Sequence, residues 1–207
     1  MSTLFRYTLP VEETHWKFQG AGETTFTWNY DAASEDLLKL YAKGKQQQWD
    51  AEKRIDWSLD VDPDDPMQMD DTVVPLYGTP LWNRMSEKQR SELRYHSQVF
   101  NLSQFLHGEQ GALICAARIV QDVPTIESKF YAATQVMDEA RHVEAYRRLL
   151  TEKFKFVYPI SKPLQTLVEQ ALTDKRWDFT YLGMQVLIEG LAPVSYTHLT
   201  LPTILRV

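Results

Sequence analysis

Cys115 is the only cysteine in the sequence, which excludes an intrachain disulfide framework and a zinc site built from cysteines. There is no run of Lys and Arg, and the formal charge of -6 with a pI near 5.4 argues against a broad surface for nucleic acid. No apolar stretch reaches the roughly 18 residues that a membrane span requires. The opening MSTLFRYTLPVEETHW lacks a basic segment followed by an apolar core, so it does not read as a secretory signal. These absences lead us to expect a soluble, cytoplasmic protein that works on small molecules or with protein partners, with no nucleic acid and no membrane. A hydrophobic share of 43% against 24% charged residues excludes disordered and collagen-like classes and suffices for one well-cored domain.

Alternating strand patterns are also missing from the second half of the chain, where helical spacing dominates. Residues 1–31, with Pro10, Gly20 and Gly22, read as an irregular arm, and a first helix is expected within 33–55 behind Ser34 as its cap. The following segment through Trp82 is rich in Asp and Pro, which is loop chemistry, and its length predicts an ordered surface segment or lid. Residues 1–84 thus form an arm, one helix and a long loop. Ser86 with Gln89 opens a long helix over about 87–121, and Pro124 suits the first position of the next, which runs to about 154. Two more helices are expected over 161–174 and 176–192. The fold class is all-α, with a helical bundle over 85–193.

Three of these helices place a glutamate on an apolar face. Glu109 has Leu102, Phe105, Leu106, Ala112, Leu113 and Ala116 at its helical spacings. Glu139 has Ala132, Val136, Val143 and Tyr146, with His142 one turn on, and Glu189 has Leu182, Val186 and Ala192, with Gln185 the polar exception. An ionised carboxylate on such a face is protonated, paired or bound to a cation. Singly, each fits a structural role: an arginine bridge for Glu109, a surface pair for Glu139 and His142, a polar helix edge for Glu189. Jointly, Glu, then Glu-x-x-His, then Glu on successive bundle helices is the order in which a dinuclear iron or manganese carboxylate site is assembled. Carboxylates bridge metals and tolerate a change of metal charge, and imidazole adds a nitrogen donor. A ligating histidine needs an acceptor for its second N–H, which Asp138 or another carboxylate could provide, with Arg141 steadying that outer layer. Gly108 and Gly111 beside the first ligand suggest close helix approach or local widening.

The arrangement resembles the ferritin-like superfamily of non-haem di-iron carboxylate proteins. The step from Glu109 in HGEQGAL to Glu139 in DEARH is similar to the spacing in di-iron oxygenases and in the ribonucleotide reductase small subunit. DEARH resembles the D-E-x-R-H form of bacterial multicomponent monooxygenases, and QQQWDAEKRIDWS resembles a segment of reductase-like and oxygenase-like members. The resemblance covers about residues 46–192. It implies a ferritin-like bundle that binds two Fe, or Mn with Fe, through Glu109, Glu139, His142 and Glu189. It further implies a non-haem di-iron oxidoreductase that activates O2 to oxygenate a small organic substrate, with electrons from a separate reductase or ferredoxin and a possible homodimer. The alternatives are a radical subunit using Tyr146, which otherwise reads as a packing residue, and an iron-storage or ferroxidase protein.

The superfamily pattern carries a second E-x-x-H after the third glutamate, and none stands between Glu189 and Val207. The segment VSYTHLTLPT within 194–207 resembles the translation of a transposase sequencing adapter, with His198 inside it. We therefore expect residues 194–207 to be adapter-derived, the bundle to be incomplete and this chain to be inactive by itself. Recovering the locus from intact DNA checks this: an open frame past Ala192 containing E-x-x-H is the expected result, and a native gene ending in SYTHLTLPTILRV contradicts it.

Overall fold

The computed structural model describes residues 24–27, 29–30, 34–62, 64–65, 68 and 70–188. Helix α1 (Glu35–Gln46) starts where the Ser34 hydroxyl accepts the Leu37 N–H, with Glu35 and Asp36 in the first turn against the helix dipole. The single helix expected within 33–55 is split. Asp50 Oδ1 accepts the Glu52 N–H at 2.9 Å and opens a separate helix, α2 (Ala51–Arg54). A side chain able to cap locally competes with continuation of the helix, and residues 47–50 become a link instead.

The acidic loop is tied down, as its length suggested. Asp64 Oδ1 accepts the Ser91 hydroxyl at 2.7 Å, Asp65 Oδ1 accepts Gln98 Nε2 at 3.1 Å, and Arg94 pairs with Asp71 at 2.9 Å. Short helix α3 (Pro80–Arg84) follows behind Thr79 as cap, with Pro80 in its first turn. Of the N-terminal arm, Thr25 donates its N–H to Gln121 O at 2.9 Å, so the described part lies beside the end of the next helix.

That helix, α4 (Glu87–Asp122), opens on the capping box of Ser86 and Gln89. Helix α5 (Ile126–Arg148) begins two residues later than Pro124 suggests. Thr125 accepts the Ser128 N–H at 3.2 Å and takes the cap, which leaves Pro124 outside the helix. The short connection folds α5 back along α4, and these two helices are the spine of the bundle. A π-helical turn, Leu149–Phe154, widens the end of α5 and stops at Lys155, whose φ of 56° is left-handed. Helix α6 (Lys162–Thr173) and helix α7 (Trp177–Tyr181) follow, and a second π-helical stretch, Leu182–Ile188, ends the described chain. Among the described residues there is no β-strand, which agrees with the all-α expectation.

The main core lies between α4, α5 and the first π turn. Val99, Leu102, Tyr146, Leu149, Leu150, Phe154 and Val157 are buried there, with Phe105 and Leu106 packed on them. Full burial of each large aliphatic contributes about 1.5–3 kcal/mol. A second cluster joins Ala112 and Cys115 of α4 to Val168, Leu172 and Met184. Burial there pushes the Cys115 thiol up to about 12, so it is an inert packing group.

The two glycines flanking Glu109 have different roles. A Cβ at Gly111 would lie 2.9 Å from Val168 Cγ2 and 3.3 Å from Met184 Cε, so this is the close helix approach that the sequence suggested. A Cβ at Gly108 would meet nothing within 4 Å, so close approach does not explain that glycine. Gly111→Ala is expected to destabilise by about 1–3 kcal/mol through overpacking. Gly108→Ala is expected to be neutral or to gain up to about 1 kcal/mol of helix propensity. Paired urea unfolding curves check both.

Candidate metal centre

Burial of Glu109 follows from the stripe it occupies on α4, where Leu102, Ala112 and Ala116 are nearly inaccessible. Glu139 and His142 stand one turn apart on α5 and so project together. Because α5 returns along α4, the two stripes meet. His142 Nδ1 lies 3.1 Å from Glu109 Oε2 and 3.1 Å from Glu139 Oε2. One ligand atom from each of the three residues falls within 4.8 Å of the other two. Glu109 and Glu139 are 9% and 6% exposed, whereas the His142 side chain is 39% exposed.

Two sealed carboxylates facing each other need positive charge between them. Burial, with Glu109 adding to it, pushes the Glu139 carboxyl above the ordinary carboxylate range, against the pull of His142. Burial also opposes a charge on His142, but the two carboxylates prevail and raise its pKa to about 10. A proton on Nδ1 therefore does the work of a cation. The unfolded value is near 6.5, so the stability from this proton is complete below about pH 6.5 and is lost as pH rises through about 10. The raised Glu139 acts in the same direction. Thermal melting of metal-free protein between pH 6.5 and 10 is expected to show a falling Tm, with a shallower fall in His142→Ala.

A divalent metal fits the same place. Its charge replaces the proton, both carboxylates supply hard oxygen donors, and deprotonated Nδ1 supplies nitrogen, a set suited to iron or manganese. The fourth sequence-predicted ligand, Glu189, lies outside the described residues, as does the tail 194–207. Asp138 Oδ1 is ion-paired with Arg141 Nη2. Arg141 is 5% exposed and its Nη1 donates to Gln48 Oε1. Tyr146 is buried with its ring stacked on Phe105 at 6.1 Å between centroids.

Sequence reasoning missed one neighbour of the site. The indole of Trp49, in the link between α1 and α2, lies 6.5 Å from the His142 ring, and Trp49 was legible only as part of the QQQWDAEKRIDWS segment. A surface pocket of about 380 Å³, lined by Val74, His96, Phe100 and Tyr158 among others, lies far from the triad. His96 is about 20 Å along α4 from Glu109, so this pocket is no part of the metal centre.

A sequence model of the family described as P-aminobenzoate N-oxygenase AurF matches residues 28–183 of the 207-residue chain. The chain belongs to the AurF family. AurF proteins are ferritin-like di-iron oxygenases, so the family agrees with the class that the E-x-x-H pattern resembled. The AurF match contains Glu109, Glu139 and His142 together with the Gln48–Trp49 link. No curated protein and no solved structure matches the chain.

Proposed function

We propose that this AurF-family protein is an iron-dependent oxygenase that transfers oxygen from O2 to a small organic amine. The observation that carries the reading is the convergence of Glu109, Glu139 and His142 from α4 and α5 inside the segment that the family model spans. These three side chains hold metal, and Glu189 adds a further carboxylate. The site takes two iron ions, with manganese beside iron as the alternative content. Iron held there supplies the redox chemistry that O2 reduction requires.

The chain's own residues prepare the site. Glu109 and Glu139 offset the metal charge in a place from which water is largely excluded. His142 must give up its Nδ1 proton to ligate, and its partly exposed ring leaves that proton a path to solvent. Asp138 pairs with Arg141, and on this reading the two serve as the outer layer around His142. Electrons arrive from a separate reductase or ferredoxin. The AurF description names p-aminobenzoate, so an arylamine is the first substrate class to test. Tyr146 sits among apolar neighbours with its ring on Phe105, surroundings that favour packing over a radical role.

Full-length protein expressed from the intact locus, loaded with iron and supplied with a chemical reductant, isotopically labelled O2 and p-aminobenzoate, tests the proposal. Label on the amine nitrogen, read by mass spectrometry, is the expected result. Iron uptake with label only on ring carbon would contradict N-oxygenation, and bulk mineralisation of iron without labelled product would favour storage.

A further inference from the structure

The link Gln48–Trp49 is held against the D-E-A-R-H turn by contacts that the family's ligand pattern does not use. Trp49 tilts over the His142 ring at 6.5 Å and 36°. The Arg141 guanidinium lies 5.5 Å from the Trp49 centroid, and that of Arg54 lies 5.7 Å from it. Arg141 also donates to Gln48 Oε1, and Gln48 Nε2 donates to Gly44 O at 2.8 Å. The connection therefore runs from the end of α1, through Gln48 and Arg141, to Trp49 and then to the imidazole.

Two observations argue that this clasp is more than packing. Arg141 is almost completely buried, and its Nε has no hydrogen-bond acceptor among the described residues. Leaving a buried donor unsatisfied costs stability, so a guanidinium is a poor choice if filling space were the only requirement. Second, α1 lies close on α5. A Cβ at Gly44 would be 3.2 Å from Thr134 Cβ, so the end of α1 is fixed where it can hold a neighbour in place. A flat guanidinium that lies over an indole while donating a hydrogen bond of fixed direction transmits that position, which a lysine ammonium could not do.

We propose that Trp49, with Arg141 and Gln48, is a positioning element that fixes the orientation of the His142 imidazole for metal. Trp49 sets the plane of the ring from outside, while the two carboxylates face Nδ1 from inside. The inference rests on the metal reading of the triad. It assigns a ligand-orienting role to the α1–α2 link, which holds no ligand itself.

Cobalt(II) is the probe, since its visible absorption reports donor type and geometry. Trp49→Leu and Arg141→Met are each expected to weaken cobalt binding by about 10–100-fold, the range for outer partners of ligating histidines, and to change the absorption band. Trp49→Phe keeps an aromatic face and is expected to restore binding to within about threefold of the parent, while Gln48→Ala gives a smaller loss than Arg141→Met. Far-ultraviolet circular dichroism and melting identify variants that have lost their fold, and for these the Phe and Gln48 variants decide. A folded Trp49→Leu or Gln48→Ala protein with the parent's cobalt affinity and spectrum overturns the clasp while the metal site stands. A parent protein that binds no cobalt overturns the metal reading itself and the clasp with it.

Discussion

Glu139→Gln is expected to abolish tight binding of ferrous iron while leaving the metal-free protein as stable as before. The two halves of this result have the same cause. Glu139 is buried 3.1 Å from His142 and faces Glu109, so in the metal-free chain two carboxylates share one imidazolium. Removing one carboxylate leaves a balanced pair of Glu109 and His142, and glutamine keeps a polar group where one is needed. With metal, the same change removes an anionic donor, and the loss exceeds the roughly 10–100-fold typical of outer partners. A purely structural ion-pair network predicts the reverse: lower stability, with no metal dependence to lose. Anaerobic iron titration beside thermal melting of both proteins separates the cases.

Leu149→Ala is expected to have the largest effect on stability of any aliphatic truncation near the centre. Leu149 is fully buried where α5 enters its π turn, one turn beyond Tyr146 and against Val99 and Leu102. Side chains from both spine helices surround it, so the hole cannot readily collapse, and the cost is about 3–5 kcal/mol. For a chain of this size that corresponds to a fall in Tm of roughly 6–20 °C. Leu40→Ala on α1, where the residue is 43% exposed, is the control and is expected to stay within about 0.5 kcal/mol. Differential scanning calorimetry reads both, and similar losses at the two positions would place the core elsewhere.

The parts of this protein that were legible in the sequence are those with local causes. The capping box of Ser86 and Gln89 marked the start of α4, and the alignment of Glu109, Glu139 and His142 with apolar neighbours marked the two faces that meet. The sequence misled where two local signals competed. Asp50 caps a new helix within what reads as one helical segment, and Thr125 takes the cap from a proline that could have opened the helix. Trp49 was out of reach for another reason. Its contact with His142 depends on how α1 packs across α5, a tertiary fact that no spacing along the chain encodes. The two glycines show the same limit, since only the position of α6 gives Gly111 a steric reason and leaves Gly108 without one.

The central claim is that α4 and α5 carry a metal-binding triad, and anaerobic titration of the purified chain with ferrous iron tests it most directly. The account predicts saturable uptake at a fixed number of iron ions per chain, weakening as pH falls because protons compete for His142, and absent in Glu139→Gln. Stoichiometric iron missing from the folded parent protein, or uptake unchanged by Glu139→Gln, would contradict it.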